Sequence, residues 1–265
     1  MNPIFADLPT TIFEEMSVLA RSHDAINLGQ GFPDDPGPED VRRKAADAVM
    51  DGNNQYPSMM GIPELRAAIA AHYAAHQGLT LDPNTEVMVT SGATEAIAGA
   101  LFALLSPGDE VVIFEPAYDA YGPLIRRAGG VVRAVKLQPP HWKMTEAAIR
   151  AALSPRTRVV LLNNPLNPAG VVYGVDDLAI LAKALEGNDA VVVSDEVWEH
   201  VVFDGLRHVS VLNVPGLRDR AVKIGSAGKI FCLTGWKVGF VAAAPHLLKA
   251  LAKAHQFLTF TTPPN

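Results

Sequence analysis

The sequence predicts an α/β fold, a mostly parallel sheet flanked by helices, from three observations. Short apolar runs recur along the chain: "EVMVT", "EVVIFEP", "GVVRAVKL", "RVVLLNNP", "AVVVSDE" and "AVKIGS". They lack strict alternation, so they read as strands buried on both faces, as in parallel sheets. Helical patterns lie among them, and such alternation places helices over the sheet. Polar groups then fall at the ends of the runs: Ser91 to Thr94, Asn163 and Asn164, Asp195, and Ser226 with Lys229. Ligands of open α/β sheets bind outside the carboxyl ends of the strands, so these groups are expected to converge on one site.

Taken in order, residues 1 to 38 are irregular and rich in Pro and Gly, with one helix-like stretch from Thr10 to Arg21. "LGQGFPDDPGP" (28 to 38) is a cluster of chain breakers and marks a domain boundary or an extended arm. From residue 39 the helical patterns "EDVRRKAADAVMDG", "IPELRAAIAAHYAAHQG" and "ATEAIAGALFALLSPG" set the rhythm. "KAHQFLTFTTPPN" reads as a helix followed by a loop. The expected division is an N-terminal arm or part of a small domain, 1 to 38, and a large domain, 39 to 265. There is no internal repeat.

Composition excludes several classes. With 49% hydrophobic and 19% charged residues in 265, the chain can bury a substantial core, which argues against disorder. A net charge of −6 without a basic stripe argues against a nucleic-acid partner. The single cysteine, Cys232, excludes an intrachain disulfide or a thiolate zinc site, and reads as a small buried residue. The N-terminus has no basic region followed by an apolar one, and no apolar run reaches the ~18 residues of a membrane span. A soluble, cytoplasmic protein is expected.

Each polar group has a functional and an ordinary reading. Ser91-Gly92-Ala93-Thr94 turns a strand into a helix beginning near Thr94, either an anion site or a plain N-cap. Asp195 ends a run of valines and needs a cationic partner, either a protonated ring nitrogen or a structural ion pair. "NNPLNPAG" is a dense turn whose asparagines can simply cap backbone groups. Lys229 is a Schiff-base former if its surroundings lower its pKa, with Ser226 and Lys237 holding a phosphate; otherwise it is a solvated lysine. His72 and His76 lie one helical turn apart, a metal-compatible spacing, but Tyr73 stands where a zinc-protease motif needs Glu. They read as part of an exposed amphipathic helix, and no metal is expected. Ser226 to Lys229 also fits an S-x-x-K pattern, without the companion motifs that serine acyl-transfer enzymes carry.

Together, "INLGQGFPD", "NQYPSMMGIPELR", "SGATEA", "EPAYDAY", "NNPLNPAG", "SDEVWEH" and "SAGKIFCLTGWKVG", in this order, resemble fold-type-I aminotransferases that use pyridoxal 5'-phosphate (PLP). The resemblance runs over essentially the whole chain and is strongest to the kynurenine/glutamine transaminase branch. It implies the large domain of that fold, with the C-terminal small domain and its substrate-clamping arginine lying beyond "FTTPPN".

By this resemblance Lys229 matches the lysine of the internal aldimine and the later proton shuttle. Asp195 matches the carboxylate that keeps the pyridine nitrogen protonated. Asn167 matches the donor to the cofactor O3′, and Tyr118 the aromatic stacked on the ring. Gly92, Ala93, Thr94, Ser226 and Lys237 match the phosphate cradle. Tyr56 matches a tyrosine that reaches the neighbouring subunit's phosphate, which implies a homodimer. Gly31 and Asn167 match substrate-binding positions, Gly31 through its backbone. Trp198 stands where relatives carry tyrosine, and either donates to O3′ through its indole N–H or packs in the wall. The resemblance implies amino-group exchange between an L-amino acid and a 2-oxo acid. The alternatives are β-elimination from cysteine conjugates, or a shortened PLP-binding chain with little turnover.

Overall fold

The computed structural model describes residues 2–6, 8–31 and 35–265. The strands in chain order are β1 (Val87–Thr90), β2 (Glu110–Glu115), β3 (Val131–Lys136), β4 (Thr157–Asn163), β5 (Val191–Asp195), β6 (Ala221–Ser226) and β7 (Gly239–Ala243). The helices are α1 (Pro3–Ala6), α2 (Ile12–Ser22), α3 (Glu39–Asp51), α4 (Pro63–Gln77), α5 (Ala93–Leu104), α6 (Tyr121–Arg127), α7 (Glu146–Ala152), α8 (Val175–Ala184), α9 (Ala227–Ile230) and α10 (Pro245–Leu258).

All seven strands form one sheet in the order β1-β7-β6-β5-β4-β2-β3. Every pairing from β6 to β3 is parallel, and β7 alone runs antiparallel, between β6 and β1. The expected α/β architecture is therefore found. The parallel register also fixes the site: Asn163 pairs with Asp195 and Asp195 with Ile224, which brings the ends of β4, β5 and β6 to one edge.

Alternate residues of one strand enter different cores. In β4, Val160 and Leu162 pack with Tyr73, Leu178 and Leu181 on the face of α4 and α8. Val159 and Leu161 pack with Ile97, Leu101 and Leu251 on the face of α5 and α10. Burial on both faces accounts for the missing alternation in the strand sequences. β3 lies at the sheet edge and carries exposed Arg133 and Lys136, charges that discourage further strand pairing.

Several local expectations shift. The N-terminal helix is Ile12–Ser22 rather than 10 to 21, because Thr11 caps it by accepting from the Glu14 N–H. The helix after β1 begins at Ala93, one residue before Thr94. The seventh strand, "GFVAA", was not expected; its glycine and two alanines carry little strand propensity, and burial between two neighbours makes it a strand. Cys232 is exposed, not buried as expected, because it lies in the turn after α9 with φ of 56°.

Candidate active site

The carboxyl ends of β1, β4, β5 and β6 open onto a cavity of about 210 Å³. Gly92, Ala93, Thr94, Tyr118, Asn167, Asp195, Trp198, Ser226, Lys229 and Lys237 all line it. Tyr121, Asn163 and Thr234 complete the polar lining. Tyr56 is not brought to the cavity; it is 80% exposed and packs edge-on against Phe260.

Lys229 lies in the single turn of α9, three residues past the end of β6. Its own N–H donates to the Ser226 hydroxyl, which caps that turn. Its ammonium donates to the Gly31 carbonyl at 2.8 Å and sits 4.2 Å from the centre of the Trp198 ring. Burial lowers the Lys229 pKa and the neighbouring Lys237 charge lowers it further, against the pull of Asp195. The chain thus raises the share of neutral amine at this one position, as a lysine nucleophile requires. A Cβ at Gly31 would meet the Trp198 ring at 2.9 Å, so only glycine lets the N-terminal arm reach the lysine this closely.

Asp195 is 5% exposed. One carboxylate oxygen accepts from the Tyr121 hydroxyl at 2.6 Å and the other from the Val197 N–H at 3.3 Å. Among the described residues no cation lies within salt-bridge distance of it. Burial consequently raises its pKa, while the Tyr121 and Val197 hydrogen bonds hold it down. A buried carboxylate with hydrogen bonds but no counter-charge is suited to a cation from outside the chain. Beside it, Asn163 donates to the Asp195 carbonyl and accepts from the Asn167 N–H, tying the "NNPLNPAG" turn to β5.

The third part is an anion cradle. Gly92, with φ of 80°, caps α5, so the free N–H groups of that helix face the cavity. Lys237 holds a left-handed backbone (φ 56°) and folds its ammonium across this turn; a Cβ at Gly92 would lie 3.2 Å from the Lys237 Cε. A helix N-terminus, a lysine and a serine hydroxyl suit a phosphate monoester.

Tyr121 was missed by sequence reasoning, although it lies in the quoted "EPAYDAY". The available signal was its position three residues after Tyr118, one turn along the same wall. Its ring also packs edge-on against Tyr118, with centroids 5.6 Å apart. Also unforeseen was a buried charge network behind β5. Lys223, fully buried within a run read as apolar, donates to Glu196 at 2.5 Å and Glu199 at 2.7 Å. His208 meets Glu196 at 2.8 Å, and Tyr73 donates to Glu199 at 3.1 Å. Burial raises the Glu196 pKa, but Lys223 and His208 outweigh it and hold the carboxyl well below its usual range. This network anchors the segment between Asp195 and Trp198.

The fold is that of the fold-type-I aminotransferases. A model of the aminotransferase class I and II family matches residues 23–264, and the chain belongs to that family. It is 46% identical over 254 residues to methionine aminotransferase of Escherichia coli, covering 96% of this chain and 66% of that protein. It is 37% identical over 263 residues to kynurenine–oxoglutarate transaminase 1 of Homo sapiens, covering 94% and 62%. Identity is thus higher to the former than to this member of the kynurenine branch. The solved N-succinyldiaminopimelate aminotransferase from Mycobacterium tuberculosis superposes with a TM-score of 0.95 at 42% identity, over 100% of this chain and 70% of that one. The chain therefore spans less than two thirds of the length of the curated relatives it matches.

Proposed function

We propose that the chain is the PLP-binding part of an aminotransferase that moves an amino group between an L-amino acid and a 2-oxo acid. The observation that carries this reading is one cavity holding a pKa-lowered lysine, a buried carboxylate with no cation within salt-bridge distance among the described residues, and an anion cradle. These are the three recognition elements of PLP: aldehyde, pyridine nitrogen and phosphate. When bound, PLP supplies an electron sink for the substrate α-carbon.

The chain's own groups then have definite tasks. Lys229 would hold the cofactor at its aldehyde, and its amine would carry a proton to and from the substrate α-carbon. Asp195 would hold the protonated ring nitrogen, while Tyr121 and Val197 hold Asp195 in place. Asn167 and Tyr118 would hold the ring, Asn167 as a donor and Tyr118 by stacking. Gly92, Ala93, Thr94, Ser226 and Lys237 would hold the phosphate. Trp198 lines the wall of the cavity, the centre of its ring 4.2 Å from the Lys229 ammonium. Gly31 brings the N-terminal arm to the substrate side.

Residues 1 to 38 act as that arm and 39 to 265 as the large domain. The protein works as a homodimer in which Tyr56, exposed on this chain, reaches the partner's phosphate. A cytoplasmic location is part of the same proposal. Among the described residues no helix is long and apolar enough to cross a membrane. The relatives make methionine, kynurenine and N-succinyldiaminopimelate the first donors to try. A donor screen with two or three 2-oxo acid acceptors tests the proposal: an acceptor-dependent amino product supports it. Pyruvate and ammonia released from a cysteine conjugate without acceptor would replace it with β-elimination.

A further inference from the structure

Outside the cavity, three histidines from two separate segments meet. His72 and His76 stand one turn apart on α4, and His200 follows Trp198 by two residues in the segment after β5. Their ring centroids are 4.5 Å (His72 to His76), 5.0 Å (His72 to His200) and 5.4 Å (His76 to His200) apart. The Nε2 atoms of His72 and His200 are 2.9 Å apart. His76 and His200 are exposed and His72 is half-buried, so the group is open to solvent while its rings remain packed.

Two ring nitrogens at this distance share either a proton or a metal ion. With zinc–nitrogen bonds of about 2.0–2.1 Å, two ligands at right angles lie about 2.9 Å apart and two tetrahedral ligands about 3.3 Å. The His72 to His200 separation therefore needs little change to chelate. The His76 ring lies 4.5 Å from His72 and 5.4 Å from His200 between centroids; its nitrogens do not converge with theirs as placed, so joining the pair requires a different His76 rotamer.

The carboxylates nearest the site are those of Glu199, beside His200 in sequence, and of Glu196, which with His208 form a separate buried group. Glu199 is already engaged by Lys223, Tyr73 and Gln77, and no cysteine joins the cluster. An all-imidazole donor set suits zinc, nickel or copper and disfavours magnesium and calcium.

We propose that His72, His76 and His200 form a surface site for one divalent transition-metal ion, zinc by ligand class, with water completing its coordination. The ion fastens α4 to the segment that carries Asp195 and Trp198, so its binding braces one wall of the cavity from behind. The site is separate from the amino-transfer chemistry.

The test is calorimetric titration of Zn²⁺ alone into tag-free protein previously dialysed against chelator. One ion per chain is expected. His72→Ala and His200→Ala should each weaken binding by at least the about 10–100-fold that losing a mere supporting partner costs. His246→Ala, on α10 and outside these ring contacts, should leave it unchanged. In a parallel thermal melt, Zn²⁺ should raise the wild-type midpoint and not that of the His72→Ala/His200→Ala variant, the metal-free midpoints being alike. A dissociation constant weaker than about 1 mM, or binding undiminished in the double variant, would overturn the proposal.

Discussion

Tyr121 donates its hydroxyl hydrogen to Asp195 across 2.6 Å, and both side chains are buried. This bond is the strongest support Asp195 has inside the chain, since its other partner is a 3.3 Å backbone N–H. It links the first residue of α6 to the last residue of β5, two strands away in the sheet.

Tyr121→Phe removes that donor and keeps the ring. A hydrogen bond to a charged group contributes about 1.5–3 kcal/mol, so the variant should unfold at lower denaturant with an unchanged slope. The Asp195 pKa should rise further, because the Tyr121 bond is the largest of the influences that lower it. Equal stability of variant and wild type at pH 8 would show that the bond contributes nothing.

Asp195→Asn tests both stability and chemistry. The folded pKa of Asp195 is raised, so its stabilising contribution is complete below the unfolded carboxylate pKa and is lost as pH rises through the folded value. Wild-type stability should therefore fall relative to the variant across that window and run parallel to it above. Amide substitution should also cut amino transfer by about one and a half to four decades, the worth of a charge pair of about 2–5 kcal/mol. A pH-independent difference in stability would remove the burial argument, and wild-type turnover would remove the role.

Trp198 holds the Lys229 ammonium over its ring face. Trp198→Leu removes this attraction, worth about 0.5–2 kcal/mol for the cationic form, so the Lys229 pKa should drop further. Trp198→Phe should shift it less. The pH dependence of Lys229 acylation, followed by peptide mass, measures both. Identical profiles in all three proteins would leave Trp198 as packing alone.

Lys223→Met leaves Glu196 and Glu199 buried without their shared cation. Breaking a buried ion pair on one side costs about 3–5 kcal/mol, and denaturant unfolding should register it. Loss below about 1 kcal/mol would mean that water or His208 compensates the carboxylates.

The parallel sheet was legible because its strands are apolar on both faces, and "RVVLLNNP" shows this without tertiary information. Asp195, Ser226 and Lys229 were legible because polar side chains ending apolar runs are conspicuous. β7 was not, since Gly239, Ala242 and Ala243 become a strand only between two neighbours. Lys223 was hidden for the opposite reason: one charge in an apolar run gives no sign that two glutamates from another strand end await it. The histidine cluster needed the fold, because His72 and His200 are 128 residues apart in sequence.

The identity of the lysine that bonds the cofactor tests the central claim most directly. The protein is incubated with PLP, reduced with borohydride and mapped by peptide mass. The pyridoxyl label should fall on the peptide carrying Lys229, and Lys229→Ala should lose both the label and the visible absorbance of the bound cofactor. A label on Lys237, Lys223 or any other lysine, with Lys229 unmodified, would contradict the assignment of this cavity as the site of amino transfer.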